Sequence, residues 1–164
     1  MISEEKLSTE TKDKTRILIV DDHPAIREGL MQIINRESDL LVCAEAGSIG
    51  EAVEAAKKQK IDLALVDMLL NGTTGIDVIK KIKILCPDII ALVFSMSGKS
   101  QYVKQAIEAG ARGYITKDEI SEEIVNVIRR ILKGQIYITN GLIKDLSKEE
   151  REGILAGSVQ GDEI

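Results

Sequence analysis

The feature that most constrains this chain is a strict alternation of short apolar runs with amphipathic stretches. Five apolar runs, at residues 16–20, 40–46, 61–66, 89–94 and 113–116, are each followed by apolar residues at helical spacing. Short apolar runs bounded by polar residues predict strands that are buried on both faces. Parallel strands need crossover helices, so the alternation predicts an α/β fold with helices on both faces of a parallel sheet.

We expect these five units to form a doubly wound, flavodoxin-like (βα)5 fold. It predicts a five-stranded parallel sheet with strand order 2-1-3-4-5. We expect residues 1–15 to form a flexible polar arm and residues 16–139 to form the domain. Residues 140–164 read as an acidic tail with one helix from about Lys148, since residues 144–164 hold three basic and six acidic residues.

Composition excludes several classes of function. The 164 residues carry a net charge of −5, which argues against binding to a nucleic acid backbone by this chain alone. No apolar run approaches the roughly 18 residues that cross a membrane, and residues 1–14 lack the apolar core of a signal peptide. We therefore expect a cytoplasmic protein with no membrane contact.

The chemistry-bearing residues follow the predicted strands at their carboxyl ends. Asp21 and Asp22 follow the first strand, Asp67 the third, Ser95 the fourth and Lys117 the fifth. In the predicted strand order these ends meet at the point where doubly wound sheets bind ligands. Clustered carboxylates suit Mg²⁺, and a carboxylate can also attack a phosphoryl group to give an aspartyl phosphate. Lysine and serine could then contact the phosphoryl oxygens.

Several motifs, taken in order, match one family. The sequence resembles the receiver domain of two-component response regulators over roughly residues 16–139. The matching pieces are ILIVDDH at residues 17–23, LVD at 65–67 with Gly75 eight residues on, FS at 94–95, EAGARGY at 108–114 and TKD at 116–118.

The resemblance implies a role for each strand-end residue. Asp67 would be the phosphoacceptor, and Lys117 would contact the phosphoryl group. Mg²⁺ would be held by Asp21, Asp22, Asp67 and the backbone carbonyl of Leu69. The donor would be a histidine kinase or a phosphotransfer protein, and the domain would catalyse only its own phosphorylation and dephosphorylation rather than act as a conventional enzyme.

The resemblance also implies how a signal would leave the site. Ser95 would close on the phosphoryl group, and Tyr114 would rotate inward behind it. The fourth helix, fifth strand and fifth helix would form the output surface. Leu69 and Ser97 stand at positions that tune dephosphorylation in the family. Neither side chain is an amide or carboxylate that could orient a water molecule, so we expect slow self-dephosphorylation.

The details are most similar to the LuxR-type branch of the family, whose members regulate transcription through an attached helix-turn-helix domain. The evidence is the DDH sequence at residues 21–23, the GYITKD sequence at 113–118 and the LSKEERE sequence at 146–152. The residues that follow are too few for a recognition helix and its scaffold. The tail is therefore a truncated output domain or a segment with another role, and homodimerisation would accompany phosphorylation.

Two rival functions fit the sequence less well. A nucleotide-binding enzyme is suggested by GKS at residues 98–100, but the first glycine of a phosphate-binding loop would fall at Val93, inside a predicted strand. A pseudo-receiver, which binds partners without phosphorylation, remains the alternative. A pseudo-receiver would have no use for Asp21, Asp22 and Asp67, whose carboxylates repel one another. His23, the one histidine, reads as a helix-start residue rather than a metal ligand.

Overall fold

The computed structural model describes residues 13–97, 99–117, 123–139, 142 and 147–156. The strands are β1 (Thr15–Val20), β2 (Leu40–Ala46), β3 (Leu63–Asp67), β4 (Leu69–Leu70), β5 (Thr73–Thr74), β6 (Ile90–Ser95), β7 (Gly113–Thr116) and β8 (Tyr137–Ile138). The helices are α1 (Pro24–Asn35), α2 (Ile49–Lys58), α3 (Gly75–Leu85), α4 (Ser100–Glu108), α5 (Glu123–Leu132) and α6 (Lys148–Ala156).

The main sheet is parallel and has the order β2-β1-β3-β6-β7-β8. Its first five strands confirm the predicted order 2-1-3-4-5. The sheet has six strands rather than five, because β8 adds to the edge of β7. The added strand has only two residues, and the backbone N–H of Tyr137 and Thr139 donate to Arg112 and Tyr114 carbonyls on either side of that pairing. Two residues are too few for a sequence pattern to reveal.

The core lies in two layers, one on each face of the sheet. Along β1 the side chains of Leu18 and Val20 face one layer, and those of Ile17 and Ile19 face the other. Helices α2, α3 and α4 cover the first layer, and α1 and α5 cover the second. A strand between two helical layers must be apolar at every position, which explains the continuous apolar runs in the sequence.

Residues at the starts of α2 and α1 explain why these helices begin where they do. Ser48 caps α2 by accepting the Glu51 backbone N–H at 3.2 Å, while the Glu51 carboxylate accepts the Gly47 N–H at 3.1 Å. This arrangement is close to the predicted capping box. Pro24 occupies the first turn of α1, where its missing N–H costs nothing.

One predicted boundary needs correction. Strand β1 begins at Thr15, inside the predicted arm, because the Thr15 N–H bonds to the Asp39 carbonyl at 2.9 Å. The tail helix predicted from about Lys148 is confirmed as α6. Three parts of the predictions lie outside the described residues. They are residues 1–12 of the arm, residues 118–122, which include Asp118, and tail residues 140–141, 143–146 and 157–164. None of the helices that the structure describes is long and apolar enough to cross a membrane.

Candidate functional site

The carboxyl ends of four neighbouring strands meet at one edge of the sheet. Val20 of β1 pairs with Val66 of β3, so Asp21 and Asp67 extend from adjacent strands. Strand β6 ends at Ser95, which pairs with Thr116 immediately before Lys117. Asp21 is fully buried, and Asp67 is 3% exposed. The structure thus brings together residues that are up to 96 positions apart in the sequence.

Lys117 lies between the two buried carboxylates. Its Nζ donates to Oδ2 of Asp21 at 2.9 Å and to Oδ2 of Asp67 at 3.0 Å. The Lys117 side chain is only 6% exposed, and its ammonium lies 5.1 Å from the centre of the Phe94 ring. One cation therefore offsets the repulsion between two acids that would otherwise face each other in an apolar surrounding.

The electrostatics of this trio differ from those of a surface ion pair. Burial raises the pKa of Asp67, and the opposing effect of Lys117 does not cancel that rise. Burial alone would lower the pKa of Lys117, but its hydrogen bonds to both carboxylates outweigh burial and the pKa is raised. Lys117 is consequently a stable cation, and the Asp67 carboxylate is more basic than an exposed aspartate.

Asp22 and His23 complete the cluster. Oδ2 of Asp22 accepts the Asn71 N–H at 2.9 Å. Oδ1 of Asp22 is buried and accepts no hydrogen bond from the part of the chain that the structure describes. His23 caps the start of α1 as expected, yet its Nδ1 lies 2.9 Å from Oδ1 of both Asp21 and Asp22. That second contact was missed, although adjacency to two strand-end acids was a signal for it.

The cluster fits a divalent cation. One ligand atom from each of Asp21, Asp22, His23 and Asp67 lies within 4.8 Å of the others. Oδ1 of Asp22 has the His23 imidazole 2.9 Å away but accepts no hydrogen bond from a described residue, so a cation could satisfy this buried oxygen. The Leu69 N–H donates to Oδ1 of Asp67 at 3.3 Å, so the peptide of Leu69 adjoins the cluster.

Two further residues position the acids. The guanidinium of Arg27 donates to the Asp21 backbone carbonyl at 2.6 Å and to Glu45 at 3.1 Å. Arg27 was not singled out from the sequence, although it follows His23 by one helical turn. A Cβ atom at Gly75 would collide with the backbone carbonyl of Asp67, so only glycine fits where α3 passes the phosphoacceptor candidate.

Ser95 and Tyr114 are joined through one residue of the loop after β6. Oγ of the buried Ser95 accepts the Ser97 N–H at 3.1 Å. The hydroxyl of Tyr114 donates to the Ser97 carbonyl at 2.7 Å, and the Tyr114 side chain is fully buried. Burial raises the pKa of Tyr114, so the phenol is neutral. Both residues therefore hold this loop against the sheet edge.

Comparison with known protein families gives one match that covers most of the chain. The response regulator receiver domain family matches residues 17–129. The transcriptional regulatory protein YxjL of Bacillus subtilis is 35% identical over 141 residues, which are 85% of this chain and 65% of that protein. The nitrate/nitrite response regulator NarL of Escherichia coli is 29% identical over 140 residues, again 85% of this chain and 65% of NarL. The chain thus spans about two thirds of these relatives.

Solved structures give the same result. A LuxR-family two-component response regulator from Aurantimonas sp. is 34% identical with a TM-score of 0.77, and the match covers 83% of this chain and 97% of that one. The signal receiver domain of a NarL-like regulator from Mycobacterium tuberculosis is 30% identical with a TM-score of 0.70, covering 75% and 99%. The receiver domain of RcsB from Salmonella enterica is 18% identical with a TM-score of 0.74, and this likeness shows the fold alone.

Proposed function

The chain belongs to the response regulator receiver domain family, and from that premise we propose that Asp67 accepts a phosphoryl group from a histidine kinase or a phosphotransfer protein. The domain is regulatory rather than a conventional enzyme, and its relatives include transcriptional regulators. The observation that carries the proposal is the buried Lys117 ammonium held between Asp21 and Asp67. Such a cation beside a basic carboxylate is what phosphoryl transfer to that carboxylate needs.

In the proposed reaction a carboxylate oxygen of Asp67 attacks the phosphorus of a phosphohistidine. A new O–P bond forms, the P–N bond to the donor imidazole breaks, and the imidazole leaves with the bonding electron pair. Lys117 turns one of its hydrogen bonds from Asp67 towards a phosphoryl oxygen and keeps its contact with Asp21. The raised pKa of Asp67 makes its carboxylate a stronger nucleophile than an exposed one.

Receiver domains generally bind Mg²⁺ at an acidic pocket, and this cluster has the oxygen donors for it. We assign the ligands as Asp21, Asp22, Asp67 and the backbone carbonyl of Leu69. When bound, Mg²⁺ supplies positive charge against the phosphoryl oxygens. The carboxylates of the fully buried Asp21 and the partly exposed Asp22 would orient that charge.

The signal would leave the site through Ser95 and Tyr114. Their shared contact with Ser97 means that a hydroxyl of Ser95 drawn towards the phosphoryl group also moves the carbonyl that holds Tyr114. The proposed output surface consists of α4, β7 and α5. Homodimerisation on phosphorylation, and transcription regulation when the receiver is joined to a DNA-binding domain, are proposed from the relatives rather than from this chain's acidic tail.

The experiment is intact-protein mass spectrometry after incubation with acetyl phosphate and Mg²⁺. Wild type should gain one phosphoryl group, and Asp67→Asn should gain none. Asp88→Asn, which alters an exposed acid beyond α3, is the matched control and should be labelled like wild type. If wild type stays unlabelled under conditions that label a known receiver, the chain is a pseudo-receiver that binds partners without phosphorylation.

A further inference from the structure

The turn between β4 and β5 is a two-residue loop made of Asn71 and Gly72. Leu70 pairs with Thr73 on either side of it, and Gly72 has a φ of +79°, which glycine adopts without strain. Both loop residues are exposed. The two strands have two residues each and form a sheet of their own, and such an isolated hairpin is marginally stable. The loop can therefore open without disturbing the main sheet.

Asn71 and Gly72 carry the two groups of an intramolecular reaction. The side-chain amide carbon of Asn71 is the electrophile, and the backbone nitrogen of Gly72 is the nucleophile. Within the part of the chain that the structure describes, neither the Asn71 side chain nor the Gly72 N–H makes a hydrogen bond. A Cβ atom at Gly72 would meet nothing within 4 Å, so the space beside the reacting nitrogen is open.

The other asparagines that the structure describes are held differently. Asn126 lies inside α5, where a helical hydrogen bond ties the following N–H, and its neighbour Val127 is buried and β-branched. Asn35 is the last residue of α1, and its side chain accepts the Val42 N–H at 2.8 Å. Among these three asparagines, position 71 alone leaves both reacting groups without such contacts.

We propose that Asn71 is a site of spontaneous deamidation, which converts it to isoaspartate or aspartate through a succinimide shared with Gly72. The Gly72 nitrogen attacks Cγ of Asn71 as its proton passes to water. A C–N bond forms, the bond from Cγ to the amide nitrogen breaks, and that nitrogen leaves with a proton as ammonia. Water then opens the ring at either carbonyl. Opening at the backbone carbonyl leaves the chain running through the former side chain, as isoaspartate with a free α-carboxylate.

The product lies next to the carboxylate cluster. The Asn71 backbone N–H donates to Oδ2 of Asp22 at 2.9 Å. Isoaspartate adds one carbon to the backbone of the turn and a negative charge that repels the Asp22 carboxylate. Both changes draw the N–H at position 71 away from Asp22. The consequence rests on the proposed function: with Asp22 displaced, Asp67 would accept the phosphoryl group more slowly.

The first arm of the test follows the modification itself. The full chain is incubated at mildly alkaline pH and digested with trypsin, which puts Asn71 and Asn140 into separate peptides, residues 61–80 and 134–144. Asn140 also precedes a glycine but lies outside the described residues. In the 61–80 peptide a carboxylate should replace the amide, and an isoaspartyl methyltransferase should esterify it. Asn71→Gln keeps an amide but would need a larger ring, so its peptide should stay unmodified.

The second arm follows the consequence in an Asn140→Gln background. Anion exchange separates the modified fraction by its added charge, and circular dichroism verifies that this fraction is folded. Acetyl phosphate and Mg²⁺ should label it about tenfold or more slowly than the unmodified fraction, since a small displacement at a reacting site costs at least that much. With Asn71→Gln in the same background, incubation should leave the rate of labelling unchanged.

Two results would overturn the inference. One is a 61–80 peptide that keeps its amide under conditions that deamidate a free peptide of the same sequence. The other is a modified fraction that is labelled as fast as the unmodified one, because the change at Asn71 then does not reach Asp22. If isoaspartate forms but fresh wild type takes no phosphoryl group, the proposed function fails and the modification stands.

Discussion

The ammonium of Lys117 lies 3.0 Å from the carboxylate of Asp67, and the two side chains are 6% and 4% exposed. A buried pair of this kind seldom adds net stability, because removing both charges from water costs about as much as their attraction returns. The raised pKa of Asp67 shows that burial is only partly offset here. Burying the ionised carboxylate therefore lowers the free energy of unfolding, which under the proposed function is the cost of keeping a reactive group at this position.

Neutralising Asp67 should stabilise the metal-free protein. A folded pKa above the unfolded value of 3.8 means that the stability from protonated Asp67 is complete below pH 3.8 and is lost as pH rises through the folded pKa. Asp67→Asn should therefore be more stable than wild type at pH 7, by on the order of 1 kcal/mol. The advantage should shrink as pH falls towards 4. Urea unfolding in EDTA at pH 7 and 4.5 measures both values, and an Asn variant less stable at pH 7 would contradict the interpretation.

Replacing Gly75 should damage the fold next to the site. The Cβ of Gly75→Ala would meet the Asp67 backbone carbonyl, whereas a Cβ at Gly29, in the middle of α1, meets nothing within 4 Å. We expect Gly75→Ala to lower the free energy of unfolding by about 2 kcal/mol through overpacking. Gly29→Ala should raise it by roughly 0.5–1 kcal/mol through helix propensity. Chemical denaturation compares the two variants, and equal effects would show that the contact at Gly75 is unimportant.

Removing the Tyr114 hydroxyl should loosen the loop after β6. Tyr114→Phe keeps the buried ring but leaves the Ser97 carbonyl without its 2.7 Å hydrogen bond, which costs about 1 kcal/mol. Hydrogen exchange at the Ser97 and Lys99 amides should accelerate. Tyr102→Phe, on the half-buried face of α4, is the control and should leave these amides unchanged. Unaltered exchange in Tyr114→Phe would mean that the loop is held by other contacts.

A water-orienting side chain at position 69 should shorten the life of the aspartyl phosphate. Leu69 is 46% exposed beside the cluster and has no group that can bind an attacking water. Leu69→Asn should speed dephosphorylation by about tenfold or more, since positioned polar groups of this kind accelerate hydrolysis. The decay of the phosphorylated mass after removal of acetyl phosphate gives the rate. A wild-type half-life of only seconds would contradict the slow turnover that we expect.

Most of the fold could be predicted because each long strand is buried on both faces. The continuous apolar runs ending at Val20, Val66 and Phe94 record that burial directly, and the alternation of elements then indicates a parallel sheet with helices on both faces. Strand β8 leaves no such record, since its two residues gain their partners from the edge of β7. The antiparallel pair β4 and β5 is invisible for the same reason, since each of its strands also has only two residues.

The site could be predicted as a set of residues but not as a set of contacts. Strand endings indicated that Asp21, Asp67 and Lys117 would meet, because neighbouring parallel strands end at one edge. The direction of a side chain is set by packing that the sequence does not display. The Nδ1 atom of His23 between two carboxylates, and the Arg27 guanidinium on the Asp21 carbonyl, therefore required the structure.

The edge position of β8 ties the segment that follows α5 to the sheet. Ile138 pairs with Tyr114, the Thr139 N–H donates to the Tyr114 carbonyl at 3.0 Å, and the Thr116 N–H donates to the Thr139 hydroxyl at 3.3 Å. The segment that follows α5 is thus fastened to the same strand that carries Tyr114 and leads into Lys117. A displacement of β7 would therefore act directly on Ile138 and Thr139 through these hydrogen bonds, without a helix between them.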